Sequence, residues 1–188
     1  MKTQIKAALL AVALSACAGN VFGQGQVTMA NNSSSLVMNV LTGQPVAIGS
    51  TSFQLYYGPA GTPEANLLPA SPIAGTSAVL AGRIANTVID IPTNSVPYGG
   101  AATFQIRAWR SSYASYDLAF QVGDLAGKSL LFNANTSPNL TPPATPTSLA
   151  GLYPGFALFP VPEPSTFALA GLGLASLLLF RRRKSSHD

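Results

Sequence analysis

The stretch that decides the fold of this chain is TFQIRA, residues 103–108. Apolar and polar side chains alternate along it with a period of two, which is the pattern of a β-strand with one buried face. The side chains predicted to face a core are Phe104, Ile106 and Ala108, and those predicted to face outward are Gln105 and Arg107. The alternation therefore predicts a strand over residues 103–109 that supplies one side of a hydrophobic core.

Short runs of the same kind recur through residues 24–135, with turn residues between them. Further predicted strands are 26–30, 36–41, 53–57, 87–91 and 129–134. Residues 112–122 instead place Tyr113, Tyr116 and Phe120 at helical spacing and predict a short helix. Strands at this spacing, without long helices between them, predict an all-β, two-sheet β-sandwich that is monomeric. Its predicted core includes Phe53, Leu55, Phe104, Ile106 and Leu131.

The composition changes after residue 135. Ten of the 13 residues in 136–148 are Pro, Ser or Thr, a composition typical of an extended stalk. Residues 149–160 are apolar again. Two interpretations of this return segment stay open: a last strand against the sandwich, or a segment at a membrane interface.

The N-terminus has the pattern of a secretory signal peptide over residues 1–23. Lys2 and Lys6 precede a short apolar run at 7–14, which is too short to span a bilayer. Small or apolar residues at 21–23 predict cleavage after Gly23. The middle of the chain is therefore expected to be exported.

Two other interpretations of the N-terminus stay open. The AxA pattern at 16–18 offers another cleavage site, and Leu14–Cys17 resembles a bacterial lipobox, in which Cys17 would be lipidated. Cys17 is the only cysteine of the chain. If it leaves with the signal, the mature protein has no disulfide and its fold depends on core packing.

The C-terminal tail, residues 161–184, has three parts. It reads VPEPST at 161–166, an apolar run at 167–180 and RRRK at 181–184. Prolines cannot enter a helix interior, so they keep the first part extended. The 14 apolar residues would make a helix of about 21 Å, which snorkelling side chains can extend across a bilayer. The cations after the run predict a single-pass helix with residues 185–188 in the cytoplasm.

This tripartite tail resembles the PEP-CTERM sorting signal of Gram-negative bacteria, a tail also catalogued as an "ice-binding protein C-terminal domain". The resemblance implies a sorting motif of Val161, Pro162, Glu163, Pro164 and Ser165, and a membrane stop of Arg181, Arg182, Arg183 and Lys184. It also implies handling by an exosortase, a membrane transpeptidase, and delivery to the cell surface or the exterior. A plain single-pass tail anchor is the alternative.

The body is similar to short exported proteins of verrucomicrobial bacteria that carry the same tail. The similarity lies in packing and turn positions such as 53–59, 102–109 and 127–129, and it implies a fold and a location but no activity. Ice binding needs a regular array of threonines, which the body lacks. The label of the tail therefore does not predict ice binding.

The charge pattern argues against a nucleic-acid partner. The net charge is +4, but the basic residues cluster at the two ends. Between Gln24 and Pro160 the basic and acidic side chains are equal in number. Four are basic (Arg83, Arg107, Arg110, Lys128) and four are acidic (Glu64, Asp90, Asp117, Asp124). A neutral middle has no stripe of cations for phosphates.

Few residues suggest catalysis. His187, the sole histidine, lies in the predicted cytoplasmic tail, and no cofactor motif or metal-ligand spacing occurs. Asp117 and Asp124 are the one candidate carboxylate pair, with solvated surface residues as the alternative. Trp109 with Arg107 and Arg110 suggests a sugar-stacking patch, unless Trp109 is packed in the fold.

These observations predict a non-catalytic cell-surface or extracellular-matrix protein. Its expected partners are an exosortase, membrane lipid and exopolysaccharide. The alternative is a carbohydrate-binding domain, or an enzyme with a hidden site, displayed by the same tail.

Overall fold

The structure is a computed structural model that describes residues 25–140, 144–161, 171–174 and 176. The strands of the body are β1 Gln26–Met29, β2 Val37–Asn39, β3 Gln44–Pro45, β4 Thr51–Pro59, β5 Leu68–Pro69, β6 Ala74–Gly75, β7 Thr87–Asp90, β8 Ala101–Arg110, β9 Leu125–Lys128, β10 Phe132–Asn135, β11 Thr147–Ser148 and β12 Phe156–Pro160. The helices are a 3₁₀ turn at Glu64–Asn66 and α1 at Tyr116–Gln121.

The antiparallel pair β4–β8 is the centre of the fold. Its register runs from Thr51 opposite Arg110 to Pro59 opposite Ala102. The side chains that the alternation assigns to the core, Phe53, Leu55, Phe104 and Ile106, are fully buried. The predicted strands at 53–57 and 103–109 are therefore confirmed, and each extends beyond its predicted bounds because its neighbour continues to pair.

Two sheets surround one main core. The larger has nine strands, in the order β3-β2-β12-β9-β8-β4-β5, with β10 also paired to β8 and β6 to β4. The smaller has the order β11-β1-β7. Val27 and Ile89 of the smaller sheet belong to the same buried cluster as Phe53 and Phe104 of the larger. The described body is thus mostly β with two sheets, in agreement with the predicted all-β class.

The outer face of β8 is covered by α1. Ser115 caps this helix, since its hydroxyl accepts a hydrogen bond from the Leu118 amide at 3.3 Å. A second buried cluster, the outer cluster, consists of Trp109, Tyr116, Ala119 and Ala126. The short helix expected within 112–122 is therefore present, at Tyr116–Gln121.

Gln105 and Arg107 face outward from the main core, as predicted, but neither side chain is open to solvent. Both lie on the face opposite the main core, but Gln105 is only 1% exposed. Its amide nitrogen donates to the Ser129 carbonyl at 3.2 Å, and its oxygen accepts from Arg107 Nε at 3.0 Å. Alternation fixes which face a side chain occupies, whereas burial depends on what a distant segment places over that face.

Leu131 is not a core residue. It is 43% exposed, and Phe132 is buried in its place. Phe132 lies opposite Phe104 in the β10–β8 register and stacks on Tyr153, with 4.9 Å between ring centroids. Strand β10 begins at Phe132, three residues later than predicted, so Leu131 lies before the strand and Phe132 takes the inward position.

The predicted stalk differs from the structure wherever residues 136–148 are described. Thr136 and Ser137 are buried, and the Ser137 hydroxyl accepts from the Gln26 amide at 2.8 Å. Strand β11 pairs in parallel with β1. Hydroxyl side chains serve here as buried partners for backbone groups, a role that composition alone does not reveal. Of the two interpretations of 149–160, the structure has the return strand, β12.

Candidate sorting site at the end of the body

Strand β12 fixes the place where the chain leaves the body. It lies between β2, to which it pairs in parallel, and β9, to which it pairs antiparallel. Leu158 is 2% exposed and belongs to the main core. Backbone pairing on both sides and a buried side chain make β12 an interior strand rather than a loose extension of the fold.

Val161 is the first residue of the predicted sorting motif, and the structure describes it. Its side chain packs against the outer cluster, and its amide donates to the Asp124 carbonyl at 3.4 Å. The Asp124 carboxylate lies 3.2 Å from Arg110 Nε and also accepts from the Leu125 amide. Val161 is therefore packed against the body, and Pro162 follows it directly in the sequence.

Most of the predicted tail lies outside the described residues. This applies to Pro162, Glu163, Pro164 and Ser165, and to Arg181, Arg182, Arg183 and Lys184. Within the apolar run, Gly171–Leu174 and Ser176 are helical. Leu172 is 72% exposed and Leu174 is 64% exposed. Both leucine side chains are therefore largely exposed in the described part of the chain.

None of the described helices has the length and apolar character needed to cross a membrane. The predicted signal peptide at 1–23, with Cys17, also lies outside the described residues. Cleavage after Gly23, cleavage at 16–18 and lipidation of Cys17 therefore all stay predictions.

The tail matches a protein-family model. Residues 160–184 match the model described as the PEP-CTERM protein-sorting motif. The chain carries a PEP-CTERM sorting motif. The motif implies export, sorting to the cell surface and processing by an exosortase, as predicted from Val161–Ser165 and the basic stop. Searches of curated proteins and of solved structures find no match. The comparisons therefore describe the tail, and the body is described from its structure alone.

Trp109 is packed rather than displayed. Its side chain is fully buried in the outer cluster, and Nε1 donates to the Tyr113 carbonyl at 2.8 Å. A buried indole with a satisfied N–H offers no face to a sugar ring. The patch predicted from Trp109, Arg107 and Arg110 is therefore not formed as an exposed stacking surface.

The two arginines of that patch have other partners. The Arg107 guanidinium carbon lies 3.9 Å from the Tyr56 ring centroid and 5.4 Å from that of Tyr116. Arg110 pairs with Asp124. Burial raises the pKa of both tyrosines, while the neighbouring Arg107 charge acts in the opposite direction. Arg107 thus joins β4, β8 and α1 on the outer face.

Glu64 forms a polar cluster with Arg107 and Lys128 that was not among the predicted sites. Its carboxylate pairs with Lys128 and lies 4.0 Å from Arg107. The hydrogen bond from Lys128 is the main cause that lowers the pKa of Glu64. These three residues come from the 3₁₀ turn, β9 and β8, so no local sequence pattern announces their meeting.

The candidate acids of the body do not gather into a metal site within the described residues. Asp124 forms an ion pair with Arg110, and Asp117 is exposed in the first turn of α1. The first turn of a helix favours an acidic side chain, which gives Asp117 a structural role.

Proposed function

We propose that this chain is a non-catalytic cell-surface or matrix protein whose body is a two-sheet β-sandwich. The body is exported and anchored in the membrane by a single-pass tail. An exosortase then processes the chain at the Pro162–Pro164 motif. The observation that carries the proposal is the junction: the body is packed up to Val161, and the matched sorting motif continues from that residue. A folded module followed at once by a sorting signal suits display rather than turnover of a substrate.

The exposed leucines of the tail support the membrane part of the proposal. Leu172 and Leu174 lie on helical residues with more than half of their surface open. In a bilayer, that surface would be surrounded by hydrocarbon and the helix would satisfy its own backbone. The basic run at 181–184 would keep the distal end in the cytoplasm.

The partners follow from this order of events. Membrane lipid surrounds the tail before processing, the exosortase acts on the motif, and exopolysaccharide surrounds the body after it reaches the exterior. Comparing the location and bound partners of the protein in strains with and without the exosortase tests this sequence. Equal distribution and identical partners in the two strains would contradict it.

Replacing Pro162, Glu163 and Pro164 by alanines tests the motif itself. Insertion should continue, because the apolar run and the cations that set topology are unchanged. The variant should accumulate at full length in the inner membrane. Replacing Pro142 and Pro143 by alanines is the matched control, since it removes prolines outside the motif. A triple variant with the mass and distribution of the wild type would leave the plain tail anchor as the explanation.

A further inference from the structure

An apolar groove lies beside the point where the chain leaves the body. Its volume is about 490 Å³, and α1, β9 and β12 form its walls. The lining side chains that decide its character are Tyr116, Phe120, Lys128, Phe156, Phe159 and Val161. We call it the exit groove, because Val161, the first residue of the tail, lines it.

Two of its aromatic rings are poorly covered by the body. Phe120 on α1 is 45% exposed, and Phe159 on β12 is 53% exposed. Phe120 packs against Tyr116, with 5.9 Å between the ring centroids, and the two rings form the wall of the groove that α1 contributes. Two exposed phenylalanines on opposite walls of one groove make an apolar surface that water solvates poorly.

The tail limits how far this groove can be from the bilayer. Phe167, the start of the apolar run, follows Val161 by six residues. A fully extended chain spans at most about 3.5 Å per residue, so the groove lies within about 20 Å of the point where the tail enters the membrane. This step rests on the proposed single-pass anchoring.

The chemistry of the lining favours lipid over sugar. Tyr116 and Lys128 are its only lining side chains with polar ends, and the Lys128 ammonium is already paired with Glu64. A glycan bound there would leave most of its hydroxyl groups without partners, which is costly. Phenylalanine rings, in contrast, are readily accommodated at the boundary between headgroups and acyl chains.

We propose that the exit groove docks the body onto the outer surface of the bilayer, with Phe120 and Phe159 entering the lipid interface while the tail is still attached. Glu64 pairs with Lys128 and lies near Arg107, Asp124 pairs with Arg110, and Asp117 lies on α1, so the neighbouring acidic and basic side chains balance. The contact is therefore apolar and depends little on salt. The body lies flat against the membrane before processing and loses this restraint when the tail is cut.

Depth-dependent quenching tests the proposal on the full chain. Phe159→Cys and, separately, Phe120→Cys in a Cys17→Ser background would each carry a fluorescent label, with the protein reconstituted into phosphatidylcholine vesicles whose acyl chains are brominated. Val79→Cys is the control, because Val79 is 80% exposed and does not line the groove. Labels at both groove positions should lose most of their fluorescence, and the label at 79 should keep it.

The other outcomes overturn the proposal in distinguishable ways. A protein that resists carbonate extraction while its groove labels stay bright is anchored as proposed but does not dock by this face. A protein that carbonate extracts lacks the anchor, which removes both the proposed function and the docking. Groove labels that respond to a soluble glucan and not to brominated lipid would assign the groove to glycans.

Discussion

Leu158 and Leu172 are leucines of one chain in opposite surroundings. Leu158 is 2% exposed on a strand paired on both sides, whereas Leu172 is 72% exposed on a short helical stretch. The body buries a large apolar core, although Phe120, Phe159 and other apolar side chains stay exposed. Both described leucines of the tail are exposed. The comparison teaches that the surroundings of the chain change between Leu158 and Leu172. The predictions below test the packing of the body before this change and the fate of the tail after it.

The largest effect is expected from removing β12. A chain that stops after Gly155 should lose cooperative folding, because it lacks an interior strand and the buried Leu158 side chain. The loss should approach the whole stability of a small domain, about 5–15 kcal/mol. A chain that stops after Val161 is the control and should unfold cooperatively. Equal thermal unfolding of the two truncated chains would place the end of the folded body before β12.

The next effect compares one buried residue with one exposed residue. Phe104→Ala should cost about 3–5 kcal/mol in the free energy of unfolding, since it leaves a cavity in the main core. Leu172→Ala should leave the unfolding of the body unchanged. Urea denaturation of both variants measures the difference. A change of less than about 1 kcal/mol for Phe104→Ala would contradict the packing described here.

A smaller effect is expected where β9 meets β12. A Cβ on Gly127 would lie 2.3 Å from the Ala157 carbonyl oxygen, so the two strands would have to separate. Gly127→Ala should destabilise the body by about 1–3 kcal/mol. Gly75→Ala is the matched control, because a Cβ there meets no atom within 4 Å. Similar denaturation midpoints for the two variants would mean that β12 is not held tightly.

The sequence predicted most successfully what short-range patterns determine. Alternation placed Phe104 and Ile106 in the core, and the order of Pro-Glu-Pro, apolar run and cations identified the tail. It failed where distant segments decide. Gln105 is buried where its side chain donates to the distant Ser129 carbonyl. Thr136 is also buried, and its hydroxyl donates to the Pro97 carbonyl at 3.0 Å. Such contacts have no local signature.

The exit groove could not be predicted for the same reason. Phe120 and Phe159 lie far apart in sequence, and each by itself is an ordinary aromatic residue. Only the packing of α1 beside β12 places them on one groove.

The smallest effect concerns Glu64, a partly exposed residue that pairs with Lys128 and lies near Arg107. Lys128 lowers its pKa in the folded state, so the pair stabilises the body above the unfolded pKa of Glu64. This contribution is lost as pH falls through the lowered folded value. Glu64→Gln should lower the free energy of unfolding by about 0.2–1 kcal/mol at neutral pH. At low pH, where Glu64 is protonated, the variant and the wild type should be equally stable. Asp117→Asn, outside the described ion pairs, is the control, and an equal pH dependence in both variants would show that the Glu64 pair contributes nothing.

The C-terminus of the mature protein tests the central claim most directly. Mass spectrometry of the form released from cells with an exosortase should find a C-terminal peptide that ends after Val161 and before Phe167. Cells without the enzyme should retain the complete tail in the inner membrane. A released protein that still carries Arg181–Lys184 would contradict the account, because the tail would then be a permanent part of the molecule and not a processed sorting signal.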